Sequence, residues 1–160
     1  MNQSNAGRDA LIASIFSDET ESFRRPAEPE VLDAVSVRLR VMKDAGVRVS
    51  LMKGDPALRV GMHRYKTDAA FDWYEAKLYL LDAAPVTYAF LIEWDGGAIR
   101  FDRTGAREID GAYVPDPARA FRVLPGFHVP EWAKGAIQYQ IMPDRFRNGC
   151  PESDVRDREC

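Results

Sequence analysis

From Val35 to Val41 the chain alternates without a break: Val35, Val37, Leu39 and Val41 are apolar, and Ser36, Arg38 and Arg40 between them are not. A β-strand sends successive side chains to opposite faces, so such a run buries one row and hydrates the other. A helix would spread both rows around its circumference. Val47, Val49 and Leu51 repeat the pattern with Arg48 and Ser50 outside, and Lys43-Asp44-Ala45-Gly46 between the runs carries the residues of a hairpin turn. Val60 to Lys66 reads as one strand with Met62 and Arg64 on a common side, and Phe71 to Leu80 alternates again, with Tyr74, Ala76, Leu78 and Leu80 as its apolar row. Val86 to Trp94 is rich in branched and aromatic residues, Asp95-Gly96-Gly97 is a turn, Ala98 to Asp102 returns, and Ala120 to Leu124 closes the set. Seven or eight short strands at this spacing predict an all-β fold, an immunoglobulin-like antiparallel β-sandwich.

A helix of any length is hard to place. Asp9 to Phe16 supports a turn or two, but Ile12, Ile15 and Phe16 serve equally as an edge strand. The 160 residues suit one domain. Net charge is -3 with Lys and Arg scattered among Asp and Glu, which leaves no basic stripe for nucleic acid. No run approaches the ~20 apolar residues of a membrane helix, and the first residues make a poor signal peptide, so the expected location is cytoplasmic. Cys150 and Cys160 both fall in the polar C-terminal tail and read as free thiols rather than a disulfide framework.

Pro125-Gly126-Phe127-His128-Val129-Pro130 ends the strand series and begins a linker. Beyond it, Trp132-Ala133-Lys134-Gly135-Ala136 leads into Ile137-Gln138-Tyr139-Gln140-Ile141-Met142 and then Pro143-Asp144-Arg145-Phe146-Arg147-Asn148-Gly149. This block resembles the first catalytic-barrel strand and its loop in neopullulanases and cyclomaltodextrinases, enzymes of the α-amylase family, with Met142 where that family usually has Phe. Ile15-Phe16-Ser17-Asp18, Phe23-Arg24-Arg25-Pro26, Val35 to Arg40 and Asp72-Trp73-Tyr74-Glu75-Ala76 are similar to the family's N-terminal starch-binding-type module. The resemblance implies a leader at 1–13, a β-sandwich at 14–127, and a linker with the truncated start of a (β/α)8 barrel at 128–160.

That family cleaves α-glucosidic bonds with retention, which needs two carboxyl groups ~5–5.5 Å apart across the scissile bond. The resemblance puts those groups on later barrel strands, and a barrel takes ~250 residues, far more than follow the linker. The expectation is a non-catalytic domain that positions substrate and packs against its own catalytic barrel or a homodimer partner, with Trp132, Ile137, Tyr139 and Ile141 at the barrel junction. The alternatives are an autonomous module binding starch or maltooligosaccharide and an immunoglobulin-like protein-interaction domain.

Sugar rings stack their C–H faces on aromatic side chains, so Trp73, Tyr65 and Trp94 are the candidate carbohydrate-binding residues, with Tyr113 and Phe71 as further aromatics. Trp73 falls on the face opposite Tyr74 and Leu78. The competing reading is that these rings fill the core or a domain seam. No catalytic residue and no cofactor is expected in these residues. The resemblance implies a calcium loop in the intact enzyme, matched here by Asn148 and Asp154, but Cys150 and Ser153 replace its oxygen ligands, and calcium takes 6–8 hard oxygens. His63 and His128 lie far apart without neighbouring ligand types, and no zinc spacing occurs.

Overall fold

The computed structural model describes residues 2–54, 57–135 and 137. The chain divides into a compact unit ending at His128 and a second beginning at Val129. The alternating run becomes the strand β2 (Ala34–Met42), whose Val35, Val37, Leu39 and Val41 are 0% exposed. It follows a helix α1 (Asn2–Ser14) and a two-residue strand β1 (Arg24–Arg25). Next come β3 (Arg48–Lys53), β4 (Leu58–Gly61), β5 (His63–Thr67), β6 (Phe71–Tyr79), β7 (Val86–Trp94), β8 (Gly97–Asp102), β9 (Gly105–Ile109) and β10 (Phe121–Val123).

Two antiparallel sheets face each other. One has the order β1-β2-β6-β5; the other has β4-β3-β7-β8-β9, with β10 also on β7. β3 covers one edge of β7, so β8 and β10 share the other, β8 along Phe90–Trp94 and β10 along Val86–Tyr88. Inward rows from both sheets make one core in which Val35, Val37 and Leu39 meet Leu78, Ala76 and Tyr74 in register, across from Leu51, Phe90, Ile92 and Ile99. This is the sandwich expected from the strand pattern.

Three local expectations are corrected. β2 and β3 do not form a hairpin: β2 pairs with β6 and β3 with β7, so Lys43 to Val47 carries the chain from one sheet to the other. Asp44 and Gly46 do adopt left-handed backbone, with φ of 57° and 63°, so the bend is real and only its pairing differs. The run Val60 to Lys66 is two strands in different sheets, and the buried Met62 between them sends its amide back to Val49 O at 2.9 Å. Third, Asn2 to Ser14 is helical, although its first turns lack apolar periodicity. Packing decides this: Leu11 and Ile15 are buried in the sandwich core, and Ser14 Oγ donates to Leu11 O while accepting the Met42 amide. The edge-strand reading survives only as a single bridge between Phe16 and Arg40.

In the second unit, Glu131–Ala133 forms one turn of 3-10 helix, with Lys134 Nζ 2.6 Å from Glu131 Oε1 and Trp132 exposed. The barrel-strand run at 138–142 and Asn148, Cys150, Ser153, Asp154 and Cys160 lie outside the described residues. Among the described residues no helix is long and apolar enough to cross a membrane.

Candidate functional site

The outer face of the four-stranded sheet is where period two places the side chains not used by the core. Ser36, Arg38 and Arg40 of β2 stand in register with Lys77, Glu75 and Trp73 of β6. On the far side of β6, Lys66 of β5 is opposite Trp73. Opposite residues of an antiparallel pair share a face, so a row of cations is interleaved with aromatic rings.

Trp73 is half-buried at the centre of this layer. Its ring stacks on Phe23 with centroids 5.5 Å apart and an interplanar angle of 26°, and Phe23 meets Phe16 edge-on at 5.2 Å. The Arg40 guanidinium lies 4.4 Å from the Phe71 centroid and 5.0 Å from that of Phe16, and Lys66 Nζ lies 5.5 Å from the Trp73 centroid. Cations over ring faces are attracted by the ring quadrupole. These contacts form a second, smaller packed layer outside the main core.

The indole is also fixed from the β5–β6 turn. Trp73 Nε1 donates to Asp68 Oδ2 at 2.7 Å, and the amides of Ala70 and Phe71 both donate to Asp68 Oδ1 at 2.9 Å. The indole N–H, then the two amides, hold the Asp68 carboxyl at a pKa of about 2. Asp72 next to the indole points inward and is buried. Burial would push its carboxyl up, but hydrogen bonds from Thr67, the Asp44 amide and Arg64 outweigh that and hold it below the usual range. Both carboxyls therefore favour the ionised form, whereas a glycosidase general acid needs a raised pKa. Their hydrogen bonds fix the indole, the β5–β6 turn and the Asp44 bend.

Tyr65 shares this face for a different reason. The β5–β6 register slips between Arg64 and Lys66, leaving Tyr65 unopposed at a bulge that re-aims its side chain. It is 40% exposed, with the Arg38 guanidinium 5.2 Å from its ring centroid and Arg38 Nε bonded to Glu75 at 2.8 Å. Trp94 is elsewhere. It ends β7 in the other sheet, folds over the turn glycines 96 and 97, and lines a cleft of about 370 Å³ with Gly7, Arg8, Leu11, Met42 and Ala45. The fold thus brings Trp73 and Tyr65 to one face and sets Trp94 apart. One Trp73 ring face is taken by Phe23, so a sugar would have to use what remains of it. Tyr113 is half-buried beside Arg100, and burial raises its phenol pKa.

Phe16, Phe23, Arg40 and Asp68 complete the layer and were not among the expected site residues. The first two lie before β2 in stretches without alternation, so only the tertiary fold assembles them. Asp68 did carry a signal: an Asp two and three residues before Ala70 and Phe71 is placed for an Asx turn. Among the described residues, no group of three or more His, Cys, Asp or Glu is arranged to hold a metal ion.

Comparison with known proteins agrees with this architecture. The family profile described as "Alpha amylase, N-terminal ig-like domain" matches residues 21–124, a span that contains all ten strands of the described residues. Neopullulanase 2 of Thermoactinomyces vulgaris is 34% identical over 153 residues, covering 90% of this chain and 25% of that protein. A cyclomaltodextrinase of Bacillus sp is 30% identical over 133 residues, covering 75% of this chain and 23% of the relative. A solved structure titled cyclomaltodextrinase aligns at a TM-score of 0.60 and 25% identity, over 91% of this chain and 26% of that one. The chain therefore spans about a quarter of the length of the curated relatives it matches. With ten strands in two facing sheets inside the matched span, this chain belongs to the family of N-terminal immunoglobulin-like domains of α-amylases.

Proposed function

We propose that this sandwich is the non-catalytic N-terminal domain of an α-glucan-hydrolysing glycosidase of the neopullulanase and cyclomaltodextrinase kind. Its role is to position substrate and to pack against the catalytic barrel or a second subunit. The observation that carries this reading is the family match over every strand, joined to relatives named for those activities of which this chain spans about a quarter. The chemistry of the outer face supports it. Arg38, Arg40 and Lys66 there are engaged with rings or a carboxylate, and Asp68 beside the indole is held ionised, so the layer offers a preformed surface rather than a proton donor.

Tyr65 on its bulge and Trp94 in its cleft favour a second reading, a module that holds starch or maltooligosaccharide directly. Affinity electrophoresis through gels with and without soluble amylopectin separates the two. On the positioning reading, retardation is slight and is not altered by Tyr65→Ala or Trp94→Ala. Strong retardation abolished by either substitution would replace it with the binding-module reading.

A further inference from the structure

The sandwich ends in a turn fastened to the strap that precedes β2. Leu124-Pro125-Gly126-Phe127 has the Pro-Gly sequence of a type II turn, with Gly126 at φ 71° and the Phe127 amide 3.3 Å from Leu124 O. The Gly126 amide donates to Pro29 O at 2.8 Å, which ties the turn to the strap. One residue beyond the turn, His128 sits between two strap carboxylates. Its Nδ1 is 3.3 Å from Glu28 Oε2 and its Nε2 is 2.8 Å from Glu30 Oε1. The other oxygen of Glu30 lies 3.7 Å from where a Cβ on Gly126 would stand, so the same side chain covers the turn. The strap is itself braced: Asp33 Oδ2 accepts the Glu30 amide at 2.8 Å, and Leu32 and Asp33 exchange backbone bonds with Leu80.

A neutral imidazole has one N–H and can donate to only one of two carboxylates, leaving a lone pair aimed at the other. Only the imidazolium satisfies both partners at once. His128 is also the last residue of the compact unit. We propose that His128, Glu28 and Glu30 form a proton-operated clasp that fastens the last turn of the sandwich to the strap, closed when the imidazole is protonated and loosened when it is not.

Among the described residues, the charged groups bonded to the ring are Glu28 and Glu30, both from the strap; the turn contributes Pro125, Gly126 and Phe127, which do not titrate, and Asp33 accepts the Glu30 amide. Hydrogen bonds to Glu30 and then Glu28 raise the His128 pKa above its ordinary value. A raised folded-state value means that the clasp contributes fully below about 6.5, the unfolded histidine value, and is lost as pH rises through the folded one.

The test is a ¹H–¹⁵N titration of the whole chain from roughly pH 5.5 to 8.5, the range in which histidine changes charge. The wild type is compared with the doubly substituted E28Q/E30Q, which keeps the side-chain size and removes both charges. In the wild type the Gly126 and Phe127 amides are expected to move with the His128 ring and share its midpoint. Exchange at the Gly126 amide, corrected for intrinsic base catalysis, should rise several-fold across that midpoint. In E28Q/E30Q the His128 midpoint falls and the two amides no longer follow it. A His128 midpoint equal in both proteins, or Gly126 and Phe127 amides that ignore it in the wild type, would overturn the clasp.

Discussion

Phe90→Ala is expected to lower the free energy of unfolding by about 3–5 kcal/mol, the range found when a fully buried aromatic is truncated and its cavity cannot collapse. Phe90 is the centre of an aromatic cluster, with ring centroids 5.8 Å from Tyr88, 6.1 Å from Phe101 and 5.9 Å from Phe121. Those rings come from β7 itself, β8 and β10, so one side chain joins three strands of the larger sheet and faces the buried row of the smaller. Backbone pairing with β3 on one edge and β8 on the other prevents β7 from moving inward to fill the void. Domains of this size have about 5–15 kcal/mol in total, so the variant should be largely unfolded at temperatures the parent tolerates. Urea denaturation followed by circular dichroism reads the loss. Phe127→Ala, at a 58% exposed position, is the control and should stay within about 0.5 kcal/mol. A loss below about 1 kcal/mol for Phe90→Ala would mean that the two sheets do not close over it as described.

The second large effect is at a buried ion pair. Arg100 and Asp102 are two apart on β8 and so share its outer face; their side chains are 10% and 2% exposed, and the guanidinium contacts the carboxylate directly. The other Asp102 oxygen accepts the Thr104 amide at 2.9 Å and its hydroxyl at 2.6 Å, which shapes the β8–β9 turn. Asp102→Ala strands the guanidinium in the fold and is expected to cost about 3–5 kcal/mol. Asp102→Asn keeps an acceptor for Thr104 but not the charge, and should cost less. The doubly substituted R100M/D102L should recover most of the loss, because a buried pair replaced by apolar groups of similar size is often neutral. If R100M/D102L is as unstable as Asp102→Ala, the pair is not a case of stranded charge and the turn contacts carry the effect.

The strands were readable because alternation reports directly which side chains leave water. It says nothing about which strand lies alongside. β2 and β3 both point an apolar row at one core, but from opposite sheets, and a bend with Asp44 and Gly46 looks the same in a hairpin as in a crossover between layers. Gly61 and Met62 hid a second crossover inside what reads as one continuous run. β9 was missed because Gly105-Ala106-Arg107-Glu108-Ile109 lacks branched or aromatic residues over most of its length and lies at an edge, where pairing with β8 rather than burial holds it. At the candidate site, period two correctly turned Trp73 away from the core. Its neighbours Phe16 and Phe23 come from non-alternating segments, so nothing local announced that the outward face would be packed as well.

The account rests on a folded sandwich that does no glycosidic chemistry of its own. The most direct measurement is reducing-end release from maltodextrin and pullulan by the purified chain, followed over hours at micromolar protein. The account predicts a rate indistinguishable from buffer. Hydrolysis that scales with protein concentration, co-elutes with the folded chain and is lost on Asp68→Asn or Asp72→Asn would contradict it.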